Sequence, residues 1–117
     1  MSKTTVALLV KLAATFISAL IAFSMVERNA PGTVFLLAVL GTVLNYVLGD
    51  LVILNNTSNL VASIADGGVS AVTAYIFDLI IPAFVTTATS IVLFAVIVAV
   101  FEYFFHQYLL RSTKVAP

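Results

Sequence analysis

The sequence predicts an all-α integral membrane protein, a four-helix bundle running up-down-up-down with both termini in the cytoplasm. Of its 117 residues, 62% are hydrophobic and 9% are charged, whereas soluble domains have about 45–50% and about 25%. Four apolar stretches of transmembrane length fill most of the chain, and short connections make consecutive helices antiparallel neighbours. Membrane strands are excluded because these stretches exceed about 9–11 residues and do not alternate strictly.

Length and charge restrict the partners. The chain is predicted to be one transmembrane domain over residues 1–117, without room for a soluble module. Its net charge is zero and it has no basic run, so nucleic acid is not an expected partner. The expected partners are the lipid bilayer of the cell membrane and a homo-oligomer or another membrane protein. No cofactor, metal site or catalytic residue is expected, since the metal-binding, phosphate-binding and nucleophile motifs are missing from the sequence.

The first predicted span covers about residues 5–26 and ends before Pro31-Gly32. About 20 residues at 1.5 Å each cross a hydrocarbon core of about 30 Å. A cleaved signal peptide is the competing interpretation, with Lys3 in the charged region before the apolar segment. The interruption by Lys11 and the length of the stretch favour a membrane span.

The other three spans follow from polar and proline breaks. The second covers about residues 33–54, between Pro31-Gly32 and the polar run at 55–59. The third covers about 60–81 and ends at Pro82, which cannot continue the helical hydrogen bonding. The fourth covers about 84–106.

Lysine and arginine predict the orientation, because cytoplasmic flanks carry their excess. The side with both termini has Lys3, Arg111 and Lys114, and the opposite side has only Arg28. Aromatic side chains typical of the membrane interface are predicted to mark the cytoplasmic end of the fourth span. They are Phe101, Tyr103, Phe104, Phe105 and Tyr108.

Each predicted span carries one charge at a similar depth near the cytoplasmic side. These charges, Lys11, Asp50, Asp66 and Glu102, form the candidate functional layer. Such residues suggest a functional site because charge is costly inside a bilayer. Polar residues near them in sequence extend the layer: Asn45, Asn59, Ser63 and His106.

Helix faces predict that the charges point inward, because the residues that share a face with them are small or polar. Lys11 shares its face with Thr4, Thr15 and Ser18, and Asp66 shares its face with Asn59, Ala62, Ser63, Ser70 and Thr73. Around Asp50 the second span carries a stripe of small residues, Ala38, Gly41, Thr42, Asn45 and Gly49, and Glu102 aligns with Ala88, Ala95 and Ala99. The predicted lipid-facing residues of the second span include Leu36, Leu37, Val39 and Leu40.

For Lys11 and Asp66 a solvated position is a competing interpretation, because the Cα–Cβ bond leans toward the helix N-terminus, which is predicted to be cytoplasmic. A structural ion pair of Lys11 with Asp50 or Asp66 is favoured over a transport site, and buried pairs often add no net stability. Asp78 is predicted to be a solvated carboxylate at a helix end. His106 is expected to be solvated or to interact with a helix C-terminus, although its ordinary pKa near 6.5 leaves a proton relay open.

Two segments resemble the YndM-like family of small four-helix bacterial membrane proteins, whose function is uncharacterised. They are Gly49-Asp50-Leu51-Val52-Ile53-Leu54 and residues 59–68, Asn-Leu-Val-Ala-Ser-Ile-Ala-Asp-Gly-Gly. The family commonly has a proline after the Ile-Leu pair, where this chain has Asn55-Asn56-Thr57-Ser58. The resemblance implies that the two aspartates act together, and it implies no reaction, substrate or cofactor.

Three functions fit these observations. The leading one is a structural or regulatory membrane protein that acts through helix contacts. The alternative is a proton- or cation-coupled small transporter that acts as a homo-oligomer, because one bundle of four helices is narrow for a solute pathway. A pore former of the holin type is disfavoured, since its lumen requires a longer polar stripe, and an enzyme is not expected.

The predicted orientation is testable with a reporter that is active only outside the cytoplasm. Inserted within residues 27–32, the reporter should give signal, and inserted after Asn56 it should give none, because the positive flanks hold both termini inside. Signal from the second insertion alone would reverse the orientation.

Overall fold

The computed structural model describes residues 3–111, with side chains for 5–54 and 56–108, and the regular structure in this part of the chain is helical. Four helices are formed. Helix α1 is Lys3–Ala19, continued by a π-helix over Leu20–Met25; α2 is Pro31–Leu44, continued by a π-helix over Asn45–Ile53 and the turn Leu54–Asn56; α3 is Asn59–Ile80; and α4 is Ala88–Arg111.

All four helices are long and apolar enough to cross a membrane. Their candidate spans are Thr5–Met25, Pro31–Ile53, Asn59–Ile80 and Ala88–Tyr108. The predicted all-α architecture with four spans is therefore confirmed. Helix α3 packs along α4, α2 packs against α1 and α3, and α1 also contacts α4.

Local sequence explains several helix boundaries. Pro31 is the first residue of α2, where a missing backbone N–H costs nothing and the fixed φ suits the helix. Ser58 precedes α3, and its hydroxyl accepts a 3.2 Å hydrogen bond from the backbone N–H of Val61. This contact satisfies one of the free donors of the first turn.

The fourth helix begins at Ala88, four residues later than predicted. Thr87 and Ser90 form a reciprocal cap: the backbone N–H of each donates to the hydroxyl of the other, at 2.8 and 3.2 Å. The residues before the cap are held in a non-helical conformation. Phe84 is buried in the core, and Asp78 accepts hydrogen bonds from the backbone N–H and the hydroxyl of Thr86 at 3.2 and 2.6 Å. Asp78 thus lies at the end of α3 as predicted, but it is half-buried and hydrogen-bonded instead of fully solvated.

A buried asparagine joins the two connections at this end of the bundle. The Asn29 side chain donates to the backbone carbonyls of Phe23 and Val85 at 2.9 and 2.7 Å, and it accepts from the Val85 N–H at 2.9 Å. Arg28, with φ of 60°, turns the chain out of α1 just before it. The Asn29 contacts, called the Asn29 clamp below, tie the α1–α2 connection to the α3–α4 connection.

The interior consists of layers along the bundle. Next to the Asn29 clamp lies an apolar core with aromatic contacts, in which the Phe23 ring is 5.2 Å from that of Phe84 and 5.0 Å from that of Phe94. A polar layer follows, whose buried members include Thr15, Ser18, Thr42, Asn45 and Ser70. The ionisable side chains come next, and a small apolar group closes the far end with Ala7, Leu54, Ala62 and Phe105.

Most, but not all, of the predicted helix faces are correct. The small-residue stripe of α2 is buried from Ala38 to Gly49 as expected, but Leu37, predicted to face lipid, is also buried. On α4 the buried row repeats every four residues, and the predicted Ala88 is exposed. Among the aromatic residues predicted to lie at the membrane interface, Phe105 is buried, because it packs against Ala7 of α1 and its neighbours in the small apolar group.

Gly67 and Gly68 form a matched test of the α3–α4 contact. A Cβ added to Gly67 would lie 2.8 Å from the Ala95 carbonyl oxygen, whereas a Cβ added to Gly68 would have no neighbour within 4 Å. We expect Gly67→Ala to destabilise the protein by about 1–3 kcal/mol through overpacking. Gly68→Ala should leave stability unchanged or raise it by up to about 1 kcal/mol, because alanine favours helix. Thermal unfolding in detergent measures both, and equal effects would contradict the close approach.

Candidate functional site

Five ionisable side chains meet inside the bundle. Lys11 comes from α1, Asp50 from α2, Asp66 from α3, and Glu102 and His106 from α4, and none has any exposed surface. These five residues are called the charged cluster below. Every helix contributes at least one member, so the cluster connects all four.

Lys11 bridges two of the other helices. Its Nζ donates to Asp50 Oδ2 at 2.9 Å and to Glu102 Oε2 at 2.7 Å. The same ammonium group lies 5.1 Å from the centre of the Phe105 ring, a distance at which a cation is attracted to the ring face. One positive charge is therefore shared between two carboxylates and an aromatic ring in the absence of water contact.

His106 brings the three carboxylates together. Its Nε2 lies 2.9 Å from Asp50 Oδ1, 3.0 Å from Asp66 Oδ2 and 3.1 Å from Glu102 Oε2. The candidate ligand atoms of these four residues all lie within 4.8 Å of one another. Asp50 and Asp66, which the sequence predicts at a similar depth, therefore lie side by side next to His106.

The other nitrogen of His106 is held by Asn59. The Asn59 amide group donates to the carbonyl of Tyr103 at 2.9 Å, which leaves Oδ1 facing the histidine. Asn59 Oδ1 lies 3.0 Å from His106 Nδ1 and 3.1 Å from the hydroxyl of Ser63. Since an amide oxygen can only accept, Nδ1 carries a proton and donates it to Asn59.

The hydrogen bonds leave the cluster incompletely satisfied. A single Nε2–H cannot serve three carboxylate oxygens, and a neutral imidazole would present its lone pair to all three. Neither oxygen of Asp66 accepts a well-aligned hydrogen bond, nor does Glu102 Oε1, although all are buried. Unsatisfied buried acceptors are rare in native proteins and indicate a missing proton, water or ion. Three carboxylates therefore face one ammonium group, and the cluster requires added protons or a cation for its charges to balance.

The local conformation of α2 allows the carboxylates to approach each other. The segment Asn45–Ile53 is π-helical, a conformation often found at functional sites. It buries Gly49 and Asp50 side by side. A Cβ on Gly49 would overlap the carboxylate of Asp66, so only glycine lets Asp66 sit against this helix.

Asn45 lies near the cluster in sequence but outside its hydrogen-bond network. Its side chain is buried, and Nδ2 donates to the Ser70 hydroxyl at 3.0 Å. Asn45 Oδ1 accepts no hydrogen bond. The predicted site residue Asn45 thus connects α2 to α3 in the polar layer, while Asn59 contacts the cluster directly.

One of the two predicted alternatives for Lys11 is present, and the prediction for His106 needs correction. Lys11 pairs with Asp50, as one of the two alternatives proposed, and also with Glu102, whereas Asp66 is not within 4.0 Å of it. The prediction of a solvated His106 was wrong, because His106 is fully buried and at the centre of the cluster. The signal for it was its position four residues after Glu102, which places both side chains on one face of α4.

Two of the described surface grooves lie on apolar faces away from the cluster. One of 280 Å³ lies between α2 and α3 and is lined by residues such as Leu40, Leu44 and Phe77. Another of 230 Å³ lies between α1 and α2, beside Leu9, Leu12 and Val43. Neither is lined by a residue of the charged cluster.

Comparison with known proteins identifies relatives. A family model described as "Protein of unknown function (DUF2512)" matches residues 2–115. Over 76 residues the chain is 38% identical to the uncharacterized membrane protein YndM of Bacillus subtilis (strain 168), covering 58% of this chain and 38% of YndM. The chain therefore spans well under half the length of this curated relative. No solved structure matches it.

The contacts of Lys11 predict which partners are energetically coupled to it. Lys11→Met should destabilise the protein by about 3–5 kcal/mol, because it leaves buried carboxylates without their counterion. Asp50→Asn added to Lys11→Met should recover part of this loss, giving a coupling of about 0.5–3 kcal/mol. Asp66→Asn, the matched control, should show a smaller coupling, since Lys11 does not contact it. Unfolding in detergent measures the cycle, and equal coupling for both aspartates would contradict the observed pairing.

Proposed function

The chain belongs to the DUF2512 family, and we propose that it is a multipass protein of the bacterial cytoplasmic membrane. From the geometry of the cluster we infer that its role is structural or regulatory and is exerted through helix contacts. One observation carries the proposal. The charged cluster joins all four helices through ionisable side chains without exposed surface.

A fully buried cluster of charges suits a protein whose helix arrangement must be unique. The Lys11 ammonium group is paired with Asp50 of α2 and Glu102 of α4, so a shift of either helix separates a buried charge from its partner. An unpaired charge in a low-dielectric interior costs several kcal/mol. Wrong arrangements of the helices are therefore penalised, even though the cluster need not add net stability.

The surface of the bundle is suited to contacts within the membrane. Large apolar side chains are exposed on every helix, among them Ile17, Leu36, Ile64 and Phe104. In a bilayer these side chains face lipid or another helix. We propose that the functional contacts are made here, with another copy of the chain or with a different membrane protein. The positive flanking residues Lys3, Arg111 and Lys114 support a position of the charged cluster near the cytoplasmic side.

A proton- or cation-coupled small transporter that acts as a homo-oligomer is the second candidate. The observation that favours it is a charge imbalance, because three carboxylates face the single ammonium group of Lys11. In addition, neither oxygen of Asp66 accepts a hydrogen bond. Only added protons or cations neutralise this excess, and exchangeable protons or cations are what such transporters move.

The proposal includes no catalytic reaction. The hydroxyl of Ser63 lies 3.2 Å from His106 Nδ1, a spacing that resembles a nucleophile and its base. However, Asn59 Oδ1 accepts from both groups, so Nδ1 has no lone pair to receive the serine proton. Ser63 is also buried and out of reach of a substrate.

Flux and stability measured on the same variants separate the two candidates. For a structural role, purified protein in liposomes should give no proton or cation flux above empty liposomes. Asp50→Asn should lower thermal stability, because the amide removes the negative charge and keeps only one of the two acceptor oxygens that contact Lys11 and His106. Asp78→Asn, outside the cluster, should leave flux unchanged. The transporter would be established if the wild-type protein gave flux and Asp66→Asn abolished this flux without lowering the thermal stability.

A further inference from the structure

We propose that Asp50, Asp66, Glu102 and His106 form a binding site for one divalent transition-metal cation. The proposal does not depend on whether the protein is structural or a transporter. Three carboxylates and an imidazole offer one ligand atom each within 4.8 Å of one another, and hard oxygen donors with one imidazole form a common type of site for such cations.

The separations at His106 match the spacing of metal ligands. With metal–ligand bonds of about 2.1 Å, adjacent ligands of an octahedral ion lie about 3.0 Å apart. The three carboxylate oxygens lie 2.9, 3.0 and 3.1 Å from His106 Nε2. A single N–H could occupy only one of these directions, whereas a cation can be shared by all of them.

The free acceptors point to the same site independently of these distances. Asp66 is fully buried, its Oδ2 lies 3.0 Å from His106 Nε2, and both of its oxygens lack a hydrogen-bond donor. Glu102 Oε1 is also without a donor, while Lys11 holds Oε2 of the same residue. Buried carboxylate oxygens are costly unless paired or bound to a metal, and a cation beside Nε2 would pair them.

The surroundings of His106 are those of a metal ligand. Metal-bound histidines usually donate their second N–H to an oxygen, which fixes the ring and directs the lone pair of the other nitrogen to the metal. His106 Nδ1 donates to Asn59 Oδ1 at 3.0 Å. Lys11 correspondingly orients Asp50 and Glu102 from the side. Asn59 itself is half-buried at the start of α3.

Formal charge balances for a doubly charged ion. Three carboxylates and Lys11 sum to minus two when the imidazole is neutral. One divalent cation brings the sum to zero, which is the favourable total for a site enclosed by an apolar bundle. A monovalent ion would leave a net negative charge.

The ligand set also restricts which divalent cation binds. Ca²⁺ takes 6–8 oxygen ligands, and Mg²⁺ usually keeps several waters, for which a site without exposed surface has little room. Imidazole together with carboxylates suits Mn²⁺, Fe²⁺ or Zn²⁺. We therefore choose Mn²⁺ and Zn²⁺ as probes.

Metal binding by the full chain tests the proposal. After treatment with a chelator, the detergent-solubilised protein is dialysed against Mn²⁺ or Zn²⁺, and bound metal is counted by mass spectrometry. We expect one ion per chain, a rise in thermal stability with metal concentration, and coupling of one imidazole nitrogen in the pulsed electron spin resonance spectrum of bound Mn²⁺.

Three variants locate the site. Asp66→Asn should weaken binding at least about tenfold, and because Asp66 accepts no hydrogen bond in the described structure, the fold should survive. Asn59→Ala should weaken binding about 10–100-fold through loss of the partner of His106. Asp78→Asn, the same change on the same helix outside the cluster, should bind as wild type.

Several results would overturn the proposal. They are the absence of stoichiometric metal on the folded wild-type chain, binding that Asp66→Asn leaves unchanged, and equal weakening by Asp78→Asn. If metal is absent, protons or water satisfy the carboxylates. The flux and stability measurements on metal-free protein remain interpretable in that case, so failure of the cation site is distinguishable from failure of the proposed function.

Discussion

The burial of Lys11 between Asp50 and Glu102 is the constraint on which the rest of the structure depends. An ammonium group without water contact requires anionic partners at short range, and these come from two other helices. A third carboxylate on α3 and a histidine on α4 complete the group. These contacts fix the depth and the rotation of each helix. Apolar packing alone specifies depth and rotation only weakly in a membrane, because lipid tails contact leucine and valine side chains as favourably as another helix does.

The same constraint explains the residues around the cluster. Gly49 is small because the Asp66 carboxylate occupies the space of its Cβ. Gly67 is small because α4 approaches it closely, with the Ala95 carbonyl at the position of contact. Backbone proximity of this kind is how membrane helices gain van der Waals contact without large side chains. Small residues and charged residues therefore serve one arrangement, in which close helices bring charges within hydrogen-bond distance.

Composition and helical period were sufficient to predict the four spans and the inward position of Lys11, Asp50, Asp66 and Glu102, because both properties can be read from local sequence. The pairing was not predictable in full. Lys11 and Glu102 are 91 residues apart, and which carboxylate meets which cation depends on helix rotation. The π-helical segment Asn45–Ile53 shifts the face of α2 in a way that no 3.6-residue period shows. Likewise the late start of α4 follows from the tertiary contacts of Asp78 and Phe84, which compete with helix propensity.

The Asn29 clamp has a mechanical consequence. Polar contacts connect the helices at two places. Ion pairs of the charged cluster lie toward one end of the bundle, and hydrogen bonds of the neutral Asn29 side chain lie at the other end. A hydrogen bond between neutral groups contributes about 0.5–1.5 kcal/mol, and separation of buried charges costs more. The two sets of contacts differ in strength. Polar contacts therefore hold the bundle more firmly at the charged cluster than at the Asn29 clamp, where the aromatic core around Phe23 supplies most of the remaining contact.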